Sequence, residues 1–123
     1  RDPVRGSIHN AWCEADEDLK VGDVTYGWVK HAHKSCTILQ NPATYSQIKT
    51  PCFFALAEHE HLVDNVVARK VISNMPKAEY IDIPDACHEI LMDKDVVRDH
   101  FLEGFHKLVK ENILDRPETL KPF

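Results

Sequence analysis

The 123-residue chain has no long apolar run; the longest, Cys52–Ala57, is of strand length. A membrane-spanning helix needs about 20 apolar residues, so none is expected. Basic charge is also in deficit, with 15 Lys and Arg against 20 Asp and Glu, a net charge of −5. Non-specific nucleic-acid binding depends on basic patches that release counterions, and the densest charge cluster here, Glu14-Ala15-Asp16-Glu17-Asp18, is acidic. No nucleic-acid partner is expected, and the acidic cluster reads as a solvated helix start. Paired cysteines are missing too. Cys13, Cys36, Cys52 and Cys87 are scattered, with no C-x-x-C. Four cysteines in a small secreted domain allow three pairings, but Cys52 sits in the apolar run and reads as a small buried hydrophobe. The expectation is a reduced, cytoplasmic chain. Arg1-Asp2-Pro3 opens with no Met and with no basic or apolar stretch of the secretory kind, an abrupt start that suits a piece of something longer. Internal repeats and low-complexity stretches are absent as well.

What is present is ordinary for one globular domain: 43% hydrophobic and 28% charged residues, which argues against a disordered tail, a collagen or a coiled coil. Residues 1–40 are polar, carry both tryptophans and show no strand pattern. Thr25 can cap a helix running to about Leu39, with Trp28, Ala32, Cys36 and Leu39 as one apolar stripe suited to packing on a larger body. A shorter helix is expected from about Ala11 to Leu19. Asn41-Pro42-Ala43-Thr44 reads as a linker.

Beyond the linker the pattern changes. Pro51 precedes the continuous apolar run Cys52–Ala57, as in strands buried on both faces of a parallel sheet. A helix follows from about Leu62 to Met75, with Val63, Val66, Val67 and Val71 on one side, and Pro76 stops it. Tyr80–Ile83 is a second short strand, closed by Pro84. A last helix opens after Asp93 as N-cap and runs to about Lys110, with Val97, Phe101, Phe105 and Leu108 as its buried stripe. Strand, helix, strand, helix implies a parallel βαβα arrangement, the α/β class. Two strands alone make a poor sheet, so something else must complete it.

In such sheets ligands bind beyond the carboxyl ends of the strands. Glu58-His59-Glu60-His61 follows the first strand and Asp85-Ala86-Cys87-His88-Glu89 the second. If the strands are neighbours, a carboxylate from the first loop can hydrogen-bond His88, which is the base-and-orienter half of a nucleophilic triad. Spacing alone also suits a surface or capping histidine.

The order strand, acid, helix, strand, histidine, helix resembles the last third of the α/β-hydrolase fold. Four segments carry a closer resemblance: Asp2-Pro3-Val4-Arg5, Gly22-Asp23-Val24-Thr25-Tyr26-Gly27-Trp28-Val29, Ala57-Glu58-His59-Glu60-His61-Leu62-Val63-Asp64-Asn65, and His88-Glu89-Ile90-Leu91-Met92-Asp93-Lys94-Asp95. Together they are similar to the C-terminal half of bacterial lysophospholipases of the L-two type, serine hydrolases related to monoacylglycerol lipases. The resemblance runs from Asp2 to about Lys110. It implies that residues 1–40 are the end of a helical cap and residues 41–123 the C-terminal part of the hydrolase core. It implies that Glu60 is the triad acid and His88 the triad base. Glu58 and Asp64 then flank the acid without a catalytic place, and Glu89 ties down the loop. Tyr26 and Trp28 fall at the end of the cap, where they line the acyl pocket or pack cap on core.

One departure bears on activity. The family nucleophile lies in a G-x-S-x-G elbow, and none of Ser7, Ser35, Ser46 and Ser73 sits in one. The oxyanion-hole loop is missing as well. The resemblance therefore implies a C-terminal portion of a hydrolase that frees the fatty acid from a lysophospholipid, without its attacking group and inactive alone. A monoacylglycerol substrate is the alternative. No cofactor is implied. The implied partners are the lipid and the N-terminal remainder of the enzyme. The implied location is cytoplasmic and peripheral to the inner membrane, through apolar cap surface rather than charge.

Two readings of other classes remain. His59 and His61 flank Glu60, and His31 and His33 repeat the H-x-H pattern, which can hold zinc. But His31 and His33 lie two apart on a helix and do not face each other, and no third ligand is fixed beside His59 and His61, so no metal is expected. The other reading is a non-enzymatic module that binds a partner through its open sheet edge. The same edge leads us to expect self-association of the isolated chain.

Overall fold

A computed structural model describes residues 2–114; residues 115–123 of the expected core region lie outside them. Helix α1 (Pro3–Ala15) begins where the Asp2 carboxylate accepts the N–H groups of Val4 and Arg5 and Pro3 presets the backbone of the first turn. The helix expected from Ala11 to Leu19 thus starts at Pro3. It ends at Ala15, because Asp16 turns extended and caps a separate 3-10 turn over Glu17–Leu19. Helix α2 (Tyr26–Leu39) has the expected bounds, with the Thr25 hydroxyl accepting the Trp28 N–H at 3.1 Å. None of its side chains is buried, so its apolar stripe stays uncovered among the described residues. The expected linker folds instead into a short helix, α3 (Pro42–Tyr45). There Asn41 caps Ala43, Pro42 starts the turn, and Tyr45 is buried.

Strands β1 (Cys52–His59) and β2 (Ala78–Cys87) pair in parallel, joined through helix α4 (Asn65–Ile72), and form a two-stranded sheet among the described residues. The register runs from Cys52 opposite Ala78 to Ala57 opposite Ile83, then jumps to His59 opposite Cys87. Extra residues on the β2 side make a bulge. That is why β2 runs on past Pro84, where the sequence pattern closes it: a proline cannot donate to a regular ladder but is accommodated at a bulge. Asp85 sits in the left-handed region at φ 58°, and its N–H donates to Glu58 Oε2 at 2.8 Å.

Helix α4 starts at Asn65 rather than Leu62. The N–H groups of Leu62 and Val63 are taken by Glu60, and Asp64 caps Val66 and Val67. The Asn65 amide donates to the Ala57 carbonyl at 2.8 Å, pinning the helix start to the end of β1. Val63 and Val66 are exposed, and Ile72 is the residue that α4 buries.

Helix α5 (Asp95–Val109) is followed by a wide turn over Lys110–Leu114. Lys94 occupies its N-cap place without a side-chain bond. Asp93, expected there, turns its carboxylate back toward β2 instead. Val97 enters the core and Phe101 packs against it, but Phe105 is exposed, so the expected stripe fades toward its C-terminal end. The core consists of Ala57, Ile83, Ala86 and Val97, with Ala55, Ile81, Ile90 and Phe101 packed around them. It lies beneath the carboxyl ends of both strands and anchors the loops that leave them. No helix among the described residues is long and apolar enough to cross a membrane.

Candidate active site

Glu60 and His88 leave the ends of neighbouring parallel strands, and their side chains meet. Glu60 Oε2 lies 2.7 Å from His88 Nδ1. The other carboxylate oxygen accepts the N–H groups of Leu62 at 2.7 Å and Val63 at 3.3 Å. The Glu60 side chain is 7% exposed and that of His88 44%. Burial by itself would push the Glu60 carboxyl up. The Leu62 N–H, the His88 imidazole and the Val63 N–H outweigh it and hold the carboxyl at about 2. Glu60 is therefore ionised at neutral pH and can only accept, which puts the proton of the short contact on His88 Nδ1. In the neutral ring Nε2 is then the free base, pointing away from Glu60. The pair can hold an imidazole in one tautomer and stabilise its charged form.

The other carboxylates of the two loops are placed differently. Glu58 turns to the Asp85 N–H and does not share in the His88 contact. Asp64 is occupied as the cap of α4. Sequence reasoning missed a separate grouping: Glu58, His59 and Asp85 bring one ligand-type atom each to within 4.8 Å of one another, all on exposed side chains. The β2 bulge creates this grouping, and nothing in the residue spacing foretold the bulge. It differs from the His59, Glu60 and His61 set weighed from the sequence, since Glu60 is committed to His88.

Tyr26 and Trp28 are 98% and 62% exposed on α2. An apolar surface beside the histidine loop comes instead from α1 and the 3-10 turn after it. Ile8, Trp12 and Leu19 line a cavity of about 500 Å³ with Met92 and Glu89. Trp12 was legible only as an apolar residue in a polar stretch, because the helix that presents it starts earlier than its periodicity suggests.

Parallel βα units with an acid and a histidine at successive strand ends are the frame of an α/β-hydrolase. Residues 3–95 match the family described as serine aminopeptidase, S33, and the chain belongs to this family of α/β-hydrolases. Over 86 residues it is 32% identical to a Haemophilus influenzae protein named probable lysophospholipase L2. That alignment takes in 70% of this chain and 27% of the relative, so the chain spans about a quarter of the relative's length. No solved structure matches the chain.

Proposed function

We propose that this chain is the C-terminal part of a serine hydrolase that cleaves the acyl ester of a lysophospholipid, with Glu60 and His88 as two members of its triad. The observation that carries the reading is the 2.7 Å contact between an ionised, N–H-bound Glu60 and His88 Nδ1 at the carboxyl ends of adjacent strands. In the complete enzyme a serine from the preceding part attacks the ester carbonyl, and His88 Nε2 takes its proton as the C–O bond to the serine forms. The tetrahedral intermediate collapses, the glycerol oxygen leaves with the proton from His88, and the acyl group stays on the serine. Water, deprotonated by His88, then releases the fatty acid and restores the serine. Glu60 orients His88 and balances its charge in both halves. No cofactor enters these steps.

The ester class rests on the relative's name, and the apolar cavity between α1 and the histidine loop supports it, since it suits an alkyl chain. The cap assignment of residues 1–40 rests on the uncovered stripe of α2, with Tyr26 and Trp28 contributing to an acyl pocket once the rest of the enzyme packs on them. The test is fatty-acid release from a lysophosphatidylcholine by the complete protein and by its His88→Ala and Glu60→Gln variants. Release by the parent and its collapse in His88→Ala is the expected result. An active parent whose turnover survives His88→Ala would overturn the assignment.

A further inference from the structure

Asp93 is the most deeply buried charged residue among the described residues, 1% exposed. Taking a carboxylate out of water is costly unless hydrogen bonds replace the lost hydration. Here Oδ2 accepts the Cys87 N–H at 3.2 Å and Oδ1 accepts the Lys94 N–H at 2.8 Å. One carboxylate thus joins both ends of the loop that carries His88: Cys87 directly precedes the histidine, and Lys94 directly precedes α5. The loop is fastened a second time from outside. Arg5 on α1 donates from Nε at 3.0 Å and from Nη2 at 2.5 Å to the Asp93 carbonyl, and from Nη1 at 3.0 Å to Asp95 Oδ1. The planar fork of an arginine suits this grip; a lysine ammonium, a compact charge with three rotatable donors, lacks that fixed geometry.

The His88 ring is nearly half exposed, so packing alone does not set its direction. Its position depends on the Glu60 bond at one end and on its own backbone at the other. We propose that Arg5 and Asp93 are positioning residues for His88, holding its backbone so that Nδ1 stays on Glu60 and Nε2 stays aimed outward. The proposal rests on the reading of His88 as the general base. A shift of about 1 Å at a reacting group can cost 10²-fold in rate, which is the scale of what such a brace protects.

The test follows the His88 Nδ1–H proton by NMR in the 123-residue chain labelled with 15N-histidine. A slowly exchanging, hydrogen-bonded Nδ1–H is expected in the parent chain. In Arg5→Gln and in Asp93→Asn its exchange should quicken at least tenfold, while the protection of the β1 and β2 backbone amides and the melting temperature of Arg5→Gln hold. Arg5→Lys should recover part of the protection. Glu60→Gln, which removes the ionised acceptor, serves as the reference for a weakened bond. If Asp93→Asn fails to fold, Arg5→Gln and Arg5→Lys decide the question on their own. A protected Nδ1–H that is unchanged in both Arg5 variants overturns the brace and leaves the Glu60–His88 pair standing. A parent chain with no protected Nδ1–H overturns the pair and the brace together.

Discussion

Glu60 concentrates the energetics of the site in one side chain. Its carboxyl titrates at about 2 in the folded chain against an ordinary 4.5, because N–H donors and His88 favour the charged form. A depressed folded value means that the unfolded chain binds the proton more readily, so the stabilisation is complete above the unfolded value and is lost as pH falls toward the folded one. Urea midpoints of the parent chain should therefore decline between about pH 5 and pH 2 more steeply than those of Glu60→Gln. Equal slopes would show that the carboxylate is not held in this way. In the complete enzyme, Glu60→Gln keeps the shape but loses the charge and favours the wrong tautomer; an acid-to-amide change in a serine-protease triad lowers turnover about 10⁴-fold, and a loss approaching that is expected here. Glu60→Asp should be milder, because only reach is lost. Glu58→Gln should be nearly silent, since a glutamine oxygen can still accept the Asp85 N–H. Turnover of the three variants at one pH, with folding checked, decides which carboxylate is the acid; a crippled Glu58→Gln beside a normal Glu60→Gln would reverse the assignment.

Among the elements, α5 and β1 depend on a missing side chain. A Cβ built on Gly104 would lie 2.1 Å from the tip of the Phe53 ring, and Phe53 in turn packs on Phe101 with ring centroids 5.8 Å apart. Gly104→Ala gains helix propensity of about 1 kcal/mol. Forcing the ring aside costs about 1–3 kcal/mol by the usual measure of overpacking. A net loss of stability is expected, read as a lower urea midpoint, and it should shrink in a Phe53→Leu background where the ring is gone. The start of α4 behaves more simply. Asp64→Ala removes the cap on Val66 and Val67 and should cost about 1 kcal/mol. Because α4 starts only five residues after Glu60, a thermal melt of this variant also gauges how firmly the acid loop is anchored.

The molecule as a whole has a small core set against much uncovered apolar surface. Tyr26, Trp28, Val29, Ile38 and Leu39 on α2 are exposed, and the outer edge of β1 has no strand partner among the described residues. Two paired strands are marginal by themselves, and an open edge invites pairing with another copy. The 123-residue chain is expected to self-associate, with a light-scattering mass above that of one copy; a sharp peak at the mass of one copy would count against this. It is also expected not to turn over a short-chain nitrophenyl ester above its His88→Ala control, nor to be labelled by a serine-directed phosphonate. On the proposed reading His88 and Glu60 are a base and its orienter, which supply neither the nucleophile nor the oxyanion donors that account for much of a serine hydrolase's rate.

The local order of the chain was legible in the residues. The apolar run at Cys52–Ala57, the Thr25 cap, and the carboxylate and histidine loops after successive strands follow from short-range rules of burial, capping and turn chemistry, so the α/β class and a bond from some carboxylate of the first loop to His88 could be anticipated; Glu60 rather than Glu58 was singled out only by the family resemblance. What required the tertiary structure was every choice between groups equally capable of the same bond. Asp93 looks like a helix cap from its neighbours, yet buries its carboxylate against the Cys87 N–H, while Arg5 from the far end of the sequence holds its carbonyl. Pro84 looks like a strand end, yet the strand continues, because a bulge against β1 has no need of its missing N–H. Asp2 and Pro3 start α1 early and so deliver Arg5 and Trp12 to the histidine loop. Hydrogen bonds between residues 88 positions apart leave no periodic trace in a sequence, since what selects them is the geometry that the packed sheet and helices impose.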